Sequence, residues 1–353
     1  MFKKILFALL IVSVLTHADY NFSKVATIGS DVEMDIVSFT IDKEENIYIT
    51  NRLENNILVF DKNGNLIKKI GQYGIGPGEF SSIKWPMFLD DRLFVSDDNR
   101  KLVNIFQKDG TFIEQKTFGQ KAPEFLRSIE QKLVTGIDIG VAPNENGSLE
   151  LYSSFCLFDN MLNIKEEIAK TKIPFDLKNP KLNPEDFIPV VSFSKKSIFV
   201  GEIDENRYLI DVFDLNGKKT NTISKGYRKI KISDELLKKM NRSVTVRADN
   251  GNDGSGVVEN KFENPFHKAI QGMWVDKYDN LIVASAEDLY SESPNFDLFK
   301  DDKPVEEVSF SFLPENTDDY EFRNSISFFS DKVYFINRSS DYPVIDVYTY
   351  NLE

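Results

Sequence analysis

The sequence predicts an all-β protein, a six-bladed β-propeller with four-stranded antiparallel blades and an N-terminal strand that closes the last blade. Three observations support this prediction: a pair of short strands recurs along the chain, a corner motif recurs between the pairs, and a further strand-like segment lies near the N-terminus. A repeat of this size is typical of propellers and solenoids. No long stretch with helical periodicity competes with the short strands.

The repeating unit is clearest near the N-terminus. There the segments 46–50, 56–61 and 66–71 are separated by turn residues that include Asn63-Gly64. Short runs of β-branched and aromatic residues bounded by such turns predict antiparallel hairpins. Weaker copies of the second and third strands follow at 92–97 with 102–106, 148–152 with 155–159, 197–201 with 208–214, 280–284, and 332–336 with 344–348.

A phenylalanine recurs where the outer strand of one unit crosses to the innermost strand of the next. We expect this ring to fill the seam between neighbouring blades, so Phe80 and Phe125 should be buried there and should not line a ligand pocket. Five such corners imply six units. The corners are at 79–80, 124–125, 187, 265–266 and 321–322.

The corner sequence also carries a resemblance to a known family. Asn63-Gly64, the strand end Ile70-Gly71 and the corner Gly74-Ile75-Gly76-Pro77-Gly78-Glu79-Phe80 together resemble the six-bladed β-propellers of the NHL-repeat type, in particular the secreted bacterial ones. The resemblance is strong in the first two blades and rests on the strand pattern elsewhere. It implies the fold and little about activity, because propellers include lyases, lactonases and binding modules.

The two ends of the chain predict how the ring closes. The sixth unit supplies three strands and stops, whereas residues 22–29 resemble the fourth strand of the first unit. Pairing 22–29 with 344–350 would remove two exposed sheet edges at once. We therefore expect the N-terminal segment to be the outer strand of blade six.

Residues 1–18 have the pattern of a secretory signal peptide. Lys3 and Lys4 form a basic start, 5–15 is an apolar run too short to span a membrane, and 16–18 resembles a cleavage site. We expect residues 19–353 to form one domain that is secreted or periplasmic, with no membrane insertion. Cys156 is the single cysteine, so no disulfide can form within the chain.

The charge of the chain limits its partners. The formal net charge is −13, with 56 acidic and 43 basic side chains, and such a surface disfavours nucleic-acid binding. We expect a monomer with a carbohydrate, peptide or protein ligand.

The sequence offers no catalytic or metal-binding pattern. His267 is the single histidine after residue 18, so a histidine-rich zinc site like that of the hydroxyglycine lyases is disfavoured. Residues 249–256 superficially resemble a calcium loop, but Gly251 and Asn260 stand where ligands are needed. We expect a flexible acidic loop there and no cofactor, with calcium as the alternative.

One insertion interrupts the repeat, at residues 225–268 between blades four and five. It contains a short helix predicted from Ser233 to Met240 and would lie over the face formed by the loops between second and third strands. We expect this loop face to be the binding surface, because loops from different blades converge there. The alternative is that these charged residues cap turns or tie blades together. The candidate ligand-binding residues are Arg52, Arg100, Arg242, Arg247, Glu287 and Arg338.

Two functions remain open at this point. The first is a non-enzymatic recognition module that presents its loop face to a ligand. The second is a divalent-metal-assisted hydrolase or lyase, similar to gluconolactonase-like propellers, which use carboxylate and amide ligands at the propeller axis. The missing histidines and the absence of a ligand spacing favour the first.

Overall fold

The computed structural model describes residues 20–119, 122–129, 132–176, 187–240, 243–247, 255–259, 265–290, 295–313 and 325–352, with backbone alone at 239–240, 243–247 and 255–259. The predicted signal peptide, residues 249–254 of the predicted acidic or calcium loop and the corner at 321–322 lie outside these residues.

Six four-stranded antiparallel sheets follow one another along the chain, which confirms the predicted number of blades. Blade one contains β2 (Ile36–Ile41), β3 (Ile47–Asn51), β4 (Asn56–Phe60) and β5 (Leu66–Ile70). Blade two contains β6 (Ile83–Leu89), β7 (Arg92–Asp97), β8 (Leu102–Gln107) and β9 (Phe112–Thr117). Blade three contains β10 (Glu124–Ile129), β11 (Leu133–Pro143), β12 (Leu149–Phe158) and β13 (Ile164–Pro174).

The remaining blades have the same strand order. Blade four contains β14 (Val190–Phe193), β15 (Ser197–Gly201), β16 (Tyr208–Asp214) and β17 (Lys219–Lys225). Blade five contains β20 (Ile270–Val275), β21 (Leu281–Ser285), β22 (Phe296–Lys300) and β23 (Lys303–Val308). Blade six contains β24 (Ile326–Phe329), β25 (Lys332–Asn337), β26 (Val344–Leu352) and, as its outer strand, β1 (Tyr20–Ile28).

The ring closes as the sequence predicts. β1 pairs antiparallel with β26 from Tyr20 opposite Leu352 to Ile28 opposite Ile345. Asp346, which is buried, accepts hydrogen bonds from Thr27 Oγ1 at 2.9 Å and Asn337 Nδ2 at 2.9 Å, and its Oδ1 lies 2.6 Å from Lys24 Nζ. These contacts lower the pKa of Asp346 against the opposing effect of burial. The carboxylate therefore fastens the N-terminal strand to the last blade.

The middle strands of each blade are buried on both faces, because every blade is packed between two others. In β3, for example, Ile47 and Ile49 pack against blade six while Tyr48 packs against blade two. Successive side chains of a strand point to opposite faces, so consecutive apolar residues serve two different seams. The buried residues accordingly form six clusters in the described part of the chain, one between each pair of adjacent blades.

A second repeated feature stabilises four hairpin turns and was not recognised from the sequence. At each turn an aspartate accepts hydrogen bonds from the backbone N–H groups two and four residues later, and from the side-chain amide of the asparagine four residues later. Such side-chain to backbone bonds replace the contacts that a tight turn lacks. The pairs are Asp42 with Asn46, Asp61 with Asn65, Asp159 with Asn163, and Asp276 with Asn280.

The prediction for the corner phenylalanines is right for one and wrong for the other. Phe80 is fully buried between blades one and two, where a Cβ added at Gly71 would lie 2.6 Å from its ring. Phe125 is half-buried and lines a cavity at the axis. The register of β10 shifts between Glu124 and Arg127, and Phe125 has a positive φ of 51°, so Leu126 takes the buried seam position instead.

The strand prediction for blade three is also wrong. Residues 148–152 were expected as the second strand, but β12 continues through Ser153 and Ser154 as the third strand, and β11 is the second. Both serines are buried within the strand, where Ser153 Oγ donates to the carbonyl of Phe187 and Ser154 Oγ donates to Glu167. Hydrogen bonds to neighbours therefore allow these polar residues to sit inside a strand.

The insertion is more regular than the sequence indicates. The predicted helix is present as α1 (Asp234–Met240), and Ser233 Oγ accepts from the backbone N–H of Leu236 at 3.1 Å. After the helix, β18 (Ser243–Arg247) and β19 (Ser255–Glu259) form a separate two-stranded sheet, which the sequence analysis did not predict.

Removing the closing strand should expose two sheet edges. We expect a variant lacking residues 19–29 to aggregate, which size-exclusion chromatography and thermal unfolding would reveal. The milder substitution Asp346→Ala should lower the free energy of unfolding by about 1–3 kcal/mol, because it leaves the partly buried donors Thr27 and Asn337 without an acceptor. Asp341→Ala, in an exposed loop of the same blade, is the control. A truncated protein that stays monomeric and melts like the parent would refute the closure.

The two corner phenylalanines should differ in their contribution to stability. Phe80→Ala should cost about 3–5 kcal/mol, the usual range for a fully buried phenylalanine. Phe125→Ala should cost less than about 1.5 kcal/mol, because its ring already faces a cavity and loses less apolar contact. Urea unfolding of the two variants measures the difference, and equal losses would contradict the observed burial.

Candidate functional site

The innermost strands of all six blades surround an axial channel. Two cavities in this channel have volumes of about 580 and 430 Å³, hereafter the wide and the narrow cavity. Both volumes are in the range of small-molecule sites. The narrow cavity lies at the end of the channel where the chain passes from the outer strand of one blade into the innermost strand of the next. The loops between second and third strands, which form the loop face, lie on the same side of the propeller. The two cavities adjoin, because they share the lining residues Arg127, Phe193, Val275, Ser327 and Phe328.

Aromatic side chains form much of the channel wall. The rings of Trp85 and Phe125 lie 4.3 Å apart between centroids, at an interplanar angle of 30°. Phe193 and Phe328 line both cavities, and Trp274 lines the narrow one. Flat, apolar faces of this kind accommodate planar or ring-shaped ligand groups.

Arg127 is the only charged residue among the described residues that line the narrow cavity. Its side chain is open to the channel, yet no carboxylate or other acceptor binds its guanidinium within the described part of the chain. The surrounding protein partly desolvates the group and lowers the pKa of Arg127, with no opposing contribution from a neighbouring carboxylate. A positive charge placed in this way is available to a ligand.

Hydroxyl groups complete the polar lining of the narrow cavity. Thr135 Oγ1 donates to the backbone carbonyl of Arg127 at 3.4 Å. Ser192 is only 7% exposed, and neither its hydroxyl nor that of Ser327 makes a hydrogen bond with another described residue. The cavity therefore offers a guanidinium and two uncommitted hydroxyl groups.

The wide cavity carries charges of both signs, and several of them are already engaged. Asp276 accepts hydrogen bonds from Tyr20 at 2.6 Å and from the Asn280 turn, and Lys277 Nζ donates to the carbonyl of Tyr350 at 2.7 Å. Asp279 accepts from the backbone N–H of Lys195 at 3.2 Å. These contacts stabilise the end of the channel that contains the wide cavity.

The candidate residues on the loop face do not form one cluster with the channel. Arg52 Nε lies 2.7 Å from Asp35 of the same blade, and Arg100 donates to the carbonyls of Gly76 and Glu79 at the corner between blades one and two. Arg338 donates to the carbonyl of Ile36 in blade one. None of the three lines either cavity.

The other three candidates belong to blade five and the insertion. Glu287 lies in the short helix α2 (Ala286–Leu289), and its carboxylate is 3.4 Å from Arg228 Nε. Arg247 is the last residue of β18, where the structure describes the backbone alone. Arg242 lies outside the described residues.

The histidine, the cysteine and the glycine-rich corner, which could in principle serve catalysis or ligand binding, are engaged in packing or in hydrogen bonds within the protein. His267 is buried and stacks on Tyr290 at 4.1 Å, and burial raises the pKa of Cys156 to about 12. Within the described residues, no three side chains of His, Cys, Asp or Glu lie close enough to hold a metal ion. The glycine-rich corner is internally satisfied, because Glu79 accepts from Gly76 N at 2.7 Å and from Gln72 Nε2 at 2.7 Å.

Sequence reasoning missed Arg127 and Trp85. Both lie in innermost strands. A charged or amphipathic residue among apolar ones is usually interpreted as a solvent-exposed strand edge, so the pattern did not indicate a site. The available signal was position: each follows a corner by only a few residues, and that location places a side chain near the axis of a propeller.

The fold and the channel define the chain as a six-bladed β-propeller. A family model described as DUF5128, a 6-bladed beta-propeller, matches residues 27–85, which cover blade one and the crossing into blade two. No curated relative matches the sequence. In the described residues, neither helix is long and apolar enough to cross a membrane.

Several solved structures are similar in fold at low sequence identity. A member of the DUF4221 family from Bacteroides vulgatus is 11% identical, with 95% of this chain and 98% of that chain covered and a TM-score of 0.53. A Bacteroides fragilis protein whose name describes it as exported is 12% identical, with 97% of each chain covered and a TM-score of 0.49. The virginiamycin B lyase of Staphylococcus aureus is 11% identical, with 94% and 99% covered and a TM-score of 0.40.

A half-buried acid beside Glu287, Asp288, makes the free energy of unfolding depend on pH. Burial raises the pKa of Asp288 to about 6, while its hydrogen bond from Ser285 Oγ at 2.6 Å and the ammonium of Lys225 act in the opposite direction. The folded protein therefore binds this proton more tightly than the unfolded chain does. The associated stability is complete below pH 4 and is lost as the pH rises through 6.

We expect Asp288→Asn to remove this dependence, because the amide imitates the protonated acid. Relative to the variant, the parent should lose about 2–3 kcal/mol of unfolding free energy between pH 4 and pH 7. Glu287→Gln, at the adjacent position, is the control and should keep the parent's pH profile. Chemical unfolding at several pH values measures the effect, and parallel profiles for the parent and Asp288→Asn would contradict it.

Proposed function

We propose that the protein is an exported binding propeller that takes a small ligand, or the end of a carbohydrate or peptide chain, in its axial channel. The observation that carries this proposal is an unpaired guanidinium, Arg127, in an aromatic cavity of suitable volume. A residue retained for stability alone would be expected to have a partner, because an unpaired and partly desolvated charge is unfavourable for folding. Such costs are typical of binding sites.

The shape of the site favours a small ligand over a folded partner. A cavity in the axial channel admits a ring or a chain end, whereas a protein surface needs a broad interface of about 800 Å² on each side. Of the channel carboxylates Asp276, Asp279 and Asp331, the first two already accept hydrogen bonds within the protein. This engagement favours ligand binding over the alternative of a metal-assisted hydrolase or lyase with ligands at the axis.

The loop face is a second candidate surface, suited to a peptide or protein partner. Arg52 is largely exposed there, and Leu53, Tyr73 and Ile75 are exposed apolar residues of the same loop and the adjoining crossing. Asn55 Oδ1 accepts from Ile83 N at 3.3 Å and so holds this loop against the crossing. Exposed apolar groups beside an arginine are typical of protein interfaces.

Tryptophan fluorescence can distinguish the two sites. The chain contains two tryptophans, Trp85 and Trp274, and both line the channel. We expect compounds from a panel of neutral sugars, acidic sugars, amino acids and short peptides that bind in ligand-observed NMR to change this fluorescence as well. Phe125→Ala should weaken their binding at least about fivefold, because it removes one aromatic wall.

The comparison variant is Arg52→Ala, which alters the loop face and should leave channel binding unchanged. Binding that survives Phe125→Ala, disappears in Arg52→Ala and leaves the fluorescence constant would overturn the channel proposal in favour of the loop face.

A further inference from the structure

We infer that the channel selects a small organic acid, in which a carboxylate meets Arg127 and an attached ring lies against the aromatic wall. This inference rests on the proposed function and names the chemical class of its ligand.

The polar part of the argument comes from the donors of the narrow cavity. Arg127 offers a planar fork of N–H groups, and the hydroxyls of Ser192 and Ser327 are uncommitted within the described residues. No carboxylate is present in the described lining of this cavity. A guanidinium and hydroxyl donors in a cavity whose described lining has no carboxylate form a site for an anionic acceptor, and the fork geometry matches a carboxylate.

The charge balance favours a carboxylate over a phosphate. The narrow cavity supplies one positive charge in its described lining, which neutralises one negative charge. A phosphate monoester carries nearly two negative charges at neutral pH and would remain partly uncompensated. The chain as a whole has a formal net charge of −13, which further disfavours a dianion.

The apolar part of the argument comes from the rings around the same space. The rings of Trp85 and Phe125 are tilted against each other with centroids 4.3 Å apart, and Phe193 and Phe328 line both cavities with Arg127. These flat surfaces meet the guanidinium in one connected volume. A ligand that uses both features must carry its ring and its acid on the same small molecule.

Matched pairs of probes test the acid separately from the ring. We would titrate phenylacetate against phenylacetamide and glucuronate against glucose, and follow tryptophan fluorescence and ligand-observed NMR. In the parent protein, the better acid should bind at least about tenfold more tightly than its neutral partner, the usual effect of a hydrogen bond to a charged group. Phenyl phosphate serves as the competing anion.

Variants of Arg127 then assign the preference to this residue. Arg127→Gln should reduce the acid-to-neutral ratio to about one, and Arg127→Lys should retain part of it, because lysine keeps the charge and loses the fork. Arg92→Gln is the matched control, since Arg92 lies over the ring of Phe94 outside both cavities. The midpoint of thermal unfolding of Arg127→Gln should not fall below that of the parent, because no partner is lost.

The outcomes separate this inference from the proposed function. Equal binding of acid and neutral partner, an acid preference that survives Arg127→Gln, or tighter binding of phenyl phosphate would overturn the carboxylate assignment and leave channel binding intact. Absence of binding by every acid would overturn it as well. Loss of binding by all probes, neutral ones included, would refute the channel site itself.

Discussion

The pairing of β1 with β26 is the interaction on which the rest of the structure depends. Each blade buries both faces of its middle strands against its neighbours, so blades one and six are not complete until the ring is closed. If the last blade lacked its outer strand, β26 would present an open edge, and the cluster between blades six and one would lose Ile28. Asp346 makes this junction specific, because one buried carboxylate joins side chains from both β1 and β25. The stability of the two seams that flank blade six is thus linked to a contact between the two ends of the chain.

The axial site arises from a local irregularity in an otherwise regular ring. In blade three, the register shift in β10 and the positive φ of Phe125 turn this ring into the channel, where it meets Trp85 of blade two. Leu126 replaces it in the seam, and Arg127 then faces the axis. Bulges of this kind are common beside functional sites because they redirect a side chain without changing the fold. The same feature explains why the corner motif has different roles in blades two and three.

The fold could be predicted from the sequence because the same strand-and-turn pattern is repeated along the chain, and each copy supports the prediction independently. The turn residues around Asn63-Gly64, the apolar strands and the corner at Phe80 all indicate the same unit, and the missing fourth strand of blade six indicates the closure. Blade three was misassigned because Ser153 and Ser154 are typical turn residues. Their strand positions depend on acceptors from distant segments, Phe187 and Glu167, which no local pattern contains.

The site was harder to predict because its residues come from different blades and are brought together only by the fold. Arg52, Arg100 and Arg338 were selected from loops, and the structure confirms that they lie in loops between second and third strands, where each contacts a nearby carboxylate or carbonyl. Arg127 lies in a strand, and its significance depends on the absence of a partner among residues from other blades. That property can be recognised only when the six inner strands are placed around one axis.

The closure also sets the order of events during synthesis. β1 is the first described strand to be made, and its partner β26 is the last. At roughly 5–20 residues per second, the first strand waits on the order of tens of seconds before its partner emerges. During that interval Tyr20 and Ile28, which are buried in the finished ring, have no place to pack. The nascent chain therefore depends on a protected or unfolded state until the end, and at high concentration the waiting strand of one molecule can complete the last blade of another, which makes a strand-exchanged dimer the characteristic misassembly of this architecture.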